Sequence, residues 1–112
     1  MKAILYYVLL LNEEKDKKRQ EQLQKFLDKH EIEVVNTYYD VAIYEYTKIR
    51  KGLVQLLDDL TNNKIQADAF ICLSVRDIGK RRFLIKTLTE INTYIPMIYF
   101  ADIEQSNSDD IA

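Results

Sequence analysis

Two charged segments of this 112-residue chain have the residue types and the spacing of an anion-binding site. The first is Arg50-Lys51-Gly52-Leu53, which follows Asp40 after a short loop. We expect a helix to begin here, and the unpaired backbone amides at a helix start favour an anion. A guanidinium can also bind phosphate through two parallel hydrogen bonds. The segment therefore predicts a phosphate-binding site that includes Asp40, Arg50 and Lys51.

The second charged segment is Arg76-Asp77-Ile78-Gly79-Lys80, which follows a predicted strand. Arg76 and Lys80 join the candidate anion site, because they lie near the strand end and carry the positive charge that a phosphate requires. Arg81, Arg82 and Lys86 come next in the chain. Their simpler interpretation is a solvated helix face, because most charged side chains face water.

The remaining reactive side chains do not form a catalytic group. Ser74 is the only serine before residue 106, and His30 is the only histidine. A serine nucleophile needs a nearby base, but His30 is predicted at the opposite end of the sheet, beside helix-end carbonyls. Cys72 lies in an apolar run and is interpreted as a buried strand residue. Two glycines cannot make a glycine-rich phosphate loop, and we predict no metal and no cofactor.

Tyrosine is enriched around the end of the second predicted strand, at Tyr38, Tyr39, Tyr44 and Tyr46. Part of this group is expected to pack in the core. Tyr39, Tyr44 and Tyr46 are the candidate contact surface, because tyrosine offers a large contact area at a low cost in entropy. Stacking on nucleic-acid bases is the other interpretation, and the acidic balance of the chain favours a protein contact over it.

The composition of the chain disfavours several classes of function. The net charge of -2 gives no global attraction to nucleic acid or to an anionic membrane. No apolar run is long enough to span a bilayer, and a lone cysteine fits a cytoplasmic protein. The length predicts one domain at residues 1–104, followed by an acidic disordered tail at residues 105–112.

The hydrophobic pattern alternates strands with helices. Continuous apolar runs predict strands at residues 3–11, 33–39, 69–75 and 97–100. Helical spacing predicts helices at residues 13–29, 47–60 and 80–93, with Asn12 as the first N-cap. This alternation favours a three-layer α/β/α fold with a mainly parallel sheet of about four or five strands. Both basic segments then lie at the carboxyl edge of the sheet, where such folds place their sites.

The order of these motifs resembles the N-terminal catalytic domain of the serine recombinases, the resolvase and invertase family. That family reads Tyr-x-Arg-Val-Ser at strand one, Tyr-x-Asp before an Arg-Pro/Lys-Gly-Leu helix start, and Asp-Arg-Leu-Gly/Ser-Arg after strand three. The matching residues here are Tyr6, Tyr39-Asp40, Arg50-Lys51-Gly52-Leu53 and Arg76-Asp77-Ile78-Gly79-Lys80. The resemblance covers about residues 2–104 and implies a resolvase-like fold and a link to DNA recombination.

The resemblance also implies which catalytic groups are missing. Aligned on Tyr6, the family's strand-one arginine falls on Val8 and its serine nucleophile falls on Leu10. Leucine cannot attack a phosphodiester, and valine supplies no charge to a phosphoryl-transfer transition state. In the third motif the first two residues are exchanged as Arg76-Asp77, and the last arginine is Lys80. We therefore expect a degenerate member of the family that is not an enzyme.

Three functions remain open from the sequence. The first is a protein-interaction or regulatory module that pairs with itself, as a dimer, or with an active recombinase. The second is a small-molecule or phosphate-binding module that uses Asp40, Arg50, Arg76 and Lys80. The third is a weak, non-specific nucleic-acid binder. The long helix and the helix-turn-helix domain that follow the last strand in the family have no counterpart here. We therefore expect DNA binding by this chain alone to be weak or absent.

Overall fold

The computed structural model of the chain describes residues 1–42 and 50–103. Strands and helices alternate along these ranges. In chain order they are β1 Lys2–Leu9, α1 Glu13–Lys29, β2 Glu33–Val41, α2 Lys51–Thr61, β3 Ala69–Cys72, α3 Val75–Ile78, α4 Arg81–Tyr94 and β4 Met97–Phe100. The predicted bounds of α1 and β4 are confirmed. The prediction that β3 continues to Val75 is wrong, because β3 ends at Cys72 and Val75 begins the short helix α3, with Ser74 as its N-cap.

The four strands form one parallel sheet in the order β2-β1-β3-β4. The first strand therefore lies inside the sheet and pairs on both sides, as its continuous apolar sequence predicts. The carboxyl ends of β1, β2 and β3 meet at one edge, and the loops that follow them carry the charged segments. The predicted three-layer α/β/α architecture with a parallel sheet is confirmed.

Helices cover both faces of the sheet and enclose two apolar cores. Helix α1 packs on one face through Leu23, Phe26 and Leu27, against β1 and β3 residues that include Ala3 and Ile71. Helices α2 and α4 cover the other face. The fully buried residues there are Ile4, Tyr6, Leu56, Phe70, Cys72, Ile78, Ile91 and Ile95. The alternation of β-strand side chains assigns neighbouring residues to opposite cores.

Local signals fix where the helices begin. The side chain of Asn12 accepts a hydrogen bond from the Lys15 amide at 3.0 Å, as its predicted N-cap role requires. In α3 the side chain of Ser74 accepts from the Arg76 amide. No helix within the described ranges is long and apolar enough to cross a membrane. The cytoplasmic location and the division at residue 104 stay predictions.

Candidate functional site

The carboxylate of Asp40 lies at the start of α2, where the sequence predicts a bound anion. Its Oδ1 accepts a hydrogen bond from the Gly52 amide at 2.7 Å, and its Oδ2 accepts from the Leu53 amide at 3.0 Å. These are two of the amides that a helix leaves unpaired at its N-terminus. Asp40 therefore supplies the negative charge that favours this end of the helix. The anion at this position belongs to the chain itself.

Gly52 permits this arrangement because the helix start touches β2. A Cβ atom on Gly52 would lie 2.0 Å from the backbone oxygen of Tyr39. No side chain can occupy that space, so a glycine is required for the amide to reach the carboxylate of Asp40. The glycine of the sequence motif thus has a packing role at the contact between β2 and α2.

Tyr6 completes the hydrogen bonds of Asp40 from the core side. The Tyr6 side chain is fully buried, and its hydroxyl donates to Asp40 Oδ2 at 2.6 Å. Burial, and then the hydrogen bond to this carboxylate, raise the pKa of Tyr6 well above its ordinary value. The tyrosine therefore stays protonated and acts as a donor. Asp40 receives three donors from within the chain.

Arg50 contacts the next loop along the sheet edge. Its Nη1 donates to the backbone oxygens of Asp77, at 2.6 Å, and of Ile78. Its guanidinium lies 5.6 Å from the centre of the Phe83 ring. The two carbonyls belong to the C-terminal part of α3, so Arg50 satisfies acceptors that a helix end leaves unpaired. Arg50 thus joins the start of α2 to α3 and α4.

Gly79 allows Phe83 to reach this position. Its φ angle of 152° lies in a region that favours glycine, and a Cβ there would lie 2.4 Å from Cδ1 of Phe83. The ring therefore lies directly over the loop between α3 and α4. Both glycines of the chain are placed where a backbone must be approached closely.

Asp77 forms a buried ion pair that sequence reasoning missed. Asp77 is only 6% exposed, and Nη2 of Arg19 in α1 donates to its Oδ1 at 2.6 Å and also contacts its Oδ2. Burial raises the pKa of the Asp77 carboxyl, although the neighbouring Arg19 guanidinium opposes the shift. Arg19 precedes the buried Leu23 by one helical turn, so helical spacing places it on the inward face of α1. A charged residue on the inward face of α1 was the sequence signal that could have predicted a buried ion pair.

The remaining candidate cations face solvent. Lys51, Arg76 and Lys80 are all exposed. The structure therefore divides the predicted anion site into two groups: Asp40 and Arg50 bind other parts of the chain, and these three cations project outward. Arg76 and Asp77 are neighbours in sequence with opposite environments, because Asp77 turns inward to Arg19. The binding of an external anion by the candidate residues stays a prediction.

The candidate contact surface is described at one of its three tyrosines. Tyr39 is 53% exposed and stacks on Tyr7, with ring centres 5.6 Å apart. Tyr38, its neighbour, points to the other face, where its hydroxyl donates to Asp59 at 2.6 Å. Tyr44 and Tyr46 lie outside the described residues. Tyr39 thus presents one ring face to β1 and leaves about half of its surface free.

Comparison with models of protein families identifies the family to which this chain belongs. The family described as Resolvase, N-terminal domain, matches residues 12–111. The chain belongs to the resolvase family. No match was found among curated proteins. The family match covers most of the chain, which agrees with the resemblance carried by the ordered sequence motifs.

Two solved structures share the fold of this resolvase-family chain. One is the C-terminal catalytic domain of ISC1926 TnpA, an IS607-like serine recombinase, with a TM-score of 0.65 and 18% identity over 99% of this chain and 78% of that chain. The other is the N-terminal catalytic domain of TP901-1 integrase, with a TM-score of 0.59 and 15% identity over 86% of this chain and 70% of that chain. At these identities the likeness concerns the fold.

The resolvase match begins at residue 12, shortly after Val8, which lies in β1, and Leu10, which follows that strand. Val8 is half-buried and packs against the core that contains Tyr6. Leu10 is 37% exposed, and its backbone amide donates to Asp16 Oδ1 at 2.8 Å. The strand keeps its place inside the sheet, and the absence of the family's arginine and serine from these two positions stays a prediction of the sequence resemblance.

Other nucleophilic side chains near this edge have internal roles. Ser74 caps α3 through its Oγ. Cys72 is fully buried, and burial raises the pKa of its thiol, which leaves little thiolate. No group of three or more metal-binding side chains occurs within the described part of the chain. The groups at the edge can hold the loops together by hydrogen bonds and ion pairs.

Proposed function

We propose that this domain is a catalytically inactive serine-recombinase-like domain that acts as a protein-interaction or regulatory module in DNA recombination. The observation that carries this proposal is Leu10, an exposed apolar side chain at the position aligned with the family's nucleophile. An alkyl side chain cannot attack a phosphodiester or hold a covalent DNA intermediate. The described serine and cysteine side chains, Ser74 and Cys72, are a helix cap and a buried thiol.

The use of the retained charges supports the same proposal. Asp40 binds the start of α2, Arg50 binds the end of α3, and Asp77 binds Arg19. In an active site these charges would be directed at the reacting phosphate. Here they stabilise the contacts between elements, so the fold is maintained without the chemistry. A domain of this kind is suited to binding a protein that carries the same fold, which includes a second copy of itself.

The phosphate-binding alternative has less support. Two of its four residues, Asp40 and Arg50, have partners within the chain. Arg76 and Lys80 are exposed and remain available to an anion. Exposed cations without a shaped cavity bind anions weakly and lose the attraction as salt increases.

The proposal is tested with a DNA cleavage assay. The full chain is incubated with supercoiled plasmid, the reaction is stopped with denaturant, and protein linked to DNA is sought by gel mobility. We expect no nicking and no covalent adduct, because the position of the nucleophile carries a methyl-terminated side chain. An active serine recombinase under the same conditions is the positive control. An adduct formed by this chain, and retained after protein denaturation, would overturn the inactive assignment.

A further inference from the structure

The first turns of helix α4 and the loop before it carry an exposed surface that is rich in cations. We call this surface the α4 patch. Its members are the exposed cations Arg76, Lys80, Arg81, Arg82 and Lys86, with the exposed apolar residues Phe83 and Ile85. A chain with a net charge of -2 thus concentrates cations on a single helix start. Such a local field attracts a negatively charged partner even when the whole molecule does not.

The cations of the α4 patch form no ion pair within the described residues. The ion pairs of the described chain join Lys18 to Glu14 and Arg19 to Asp77, so none of the patch cations has a carboxylate partner there. Asp77 is buried and paired with Arg19. The exposed Glu90 lies one helical turn after Lys86 and is the nearest acidic residue of α4, but the two form no ion pair within the described residues. Glu90 offsets part of the charge at Lys86, and an anionic partner would relieve the remaining repulsion among the neighbouring cations.

The apolar members indicate the chemistry of the partner. Phe83 is 48% exposed and Ile85 is 67% exposed. The ring of Phe83 packs over Gly79 and lies 5.6 Å from the Arg50 guanidinium, so it is held in place before any partner binds. A held aromatic ring costs little entropy on binding and is a favoured anchor of protein interfaces. Ile85 offers contact to alkyl groups, and an aliphatic side chain is a poor platform for stacked bases.

We propose that the α4 patch is a docking surface for an acidic polypeptide segment that also presents apolar side chains. Carboxylates of the segment would pair with Arg82 and Lys86, and its apolar side chains would cover Phe83 and Ile85. This inference rests on the proposed function as an interaction module and names the surface and the chemistry of the partner. A nucleic acid would satisfy the cations and leave Ile85 uncovered.

The test measures the binding of labelled peptides to the full chain by fluorescence anisotropy. The probes are a short peptide of alternating glutamate and leucine, a glutamate–serine peptide of equal charge, and a single-stranded thymidine oligonucleotide. We expect the glutamate–leucine peptide to bind best, and its affinity to fall as salt increases because the charge contacts are exposed. The double substitution Arg82→Gln with Lys86→Gln should weaken it roughly three- to tenfold.

Matched controls separate the α4 patch from general charge and hydrophobicity. Lys15→Gln with Lys17→Gln removes the same charge from exposed positions of α1. Ile85→Gln should also weaken binding, whereas Ile103→Gln, which changes an isoleucine 48% exposed beside α1, should not. Circular dichroism of each variant shows that it remains folded. Equal weakening by the control substitutions would overturn the proposal.

Two further outcomes also count against the docking surface. Binding of the glutamate–serine peptide as tight as that of the glutamate–leucine peptide would remove the role of Phe83 and Ile85. Tighter binding of the oligonucleotide, lost in the Arg82→Gln and Lys86→Gln variant, would assign the α4 patch to nucleic acid. If either occurs while the chain still forms a complex with a recombinase, the surface is wrong and the proposed function stands. If no protein complex forms, the proposed function itself fails.

Discussion

At the scale of single residues, the site is defined by Asp40 and what it contacts. The spacing of Asp40 before Arg50-Lys51-Gly52-Leu53 predicts a phosphate site at the start of α2, whereas in the structure the Gly52 and Leu53 amides bind the carboxylate of Asp40. The sequence could not show that this anion is Asp40 itself, because the intervening residues 43–49 leave the distance between β2 and α2 open. Only the approach of Gly52 to Tyr39, with no room for a Cβ atom, fixes that distance.

Substitution of Asp40 by asparagine should destabilise the domain. Asparagine keeps the size of the side chain but removes the charge and one acceptor oxygen, so it cannot serve both the Gly52 and Leu53 amides. Loss of such a cap costs about 1–2 kcal/mol of unfolding free energy. Urea denaturation of the natural chain and of Asp40→Asn measures this difference in unfolding free energy. The control is Glu21→Gln, which makes an equal charge change at an exposed site of α1. If Asp40→Asn lowers the unfolding free energy no more than Glu21→Gln does, the capping role is wrong.

At the scale of elements, most helices and strands could be predicted because their apolar periodicity is long. α1 shows several turns of helical spacing, and β4 begins after Pro96. α3 could not be predicted, since four residues are too few to show a period and its start depends on the cap formed by Ser74. The pairing of α1 with α3 through Arg19 and Asp77 joins residues 58 positions apart. Their distance in the sequence gave no cue that they meet.

The pairing of α1 with α3 predicts a dependence of stability on pH. Burial raises the pKa of Asp77 in the folded state above its ordinary value of 3.8. A raised pKa means that the folded state binds the proton more tightly than the unfolded state. This contribution to stability is present below pH 3.8 and is lost as pH rises through the folded-state pKa.

Comparison with Asp77→Asn, which cannot titrate, isolates this effect. The unfolding free energy of the natural chain minus that of Asp77→Asn should fall as pH rises across this window. Urea denaturation at a series of pH values gives the difference. Asp28→Asn serves as the comparison, because the carboxylate of Asp28 is exposed on α1. A difference that stays constant with pH would show that Asp77 titrates alike in both states.

At the scale of the whole molecule, the domain combines a resolvase-family fold with two apolar residues, Val8 and Leu10, at the end of the first strand. We expect it to bind a protein of similar fold, either a second copy or the catalytic domain of an active recombinase. Sedimentation velocity of the full chain over a range of concentrations measures self-association. Sedimentation of the chain mixed with an active recombinase measures binding between the two proteins. Serum albumin at equal concentration is the control for non-specific contact, and a monomer that binds neither protein would remove the interaction role.

The three hydrogen-bond donors around Asp40 affect what the sequence motif can say about the evolution of a chain. Tyr6, Gly52 and Leu53 each donate a hydrogen bond to that carboxylate, so natural selection for a stable domain is sufficient to preserve the motif whether or not a chain cleaves DNA. The motif therefore records descent and not activity. In related chains, an aspartate followed by Arg-Lys-Gly-Leu cannot distinguish a cutting enzyme from a domain that has stopped cutting. We expect the residues at the end of the first strand to carry that distinction.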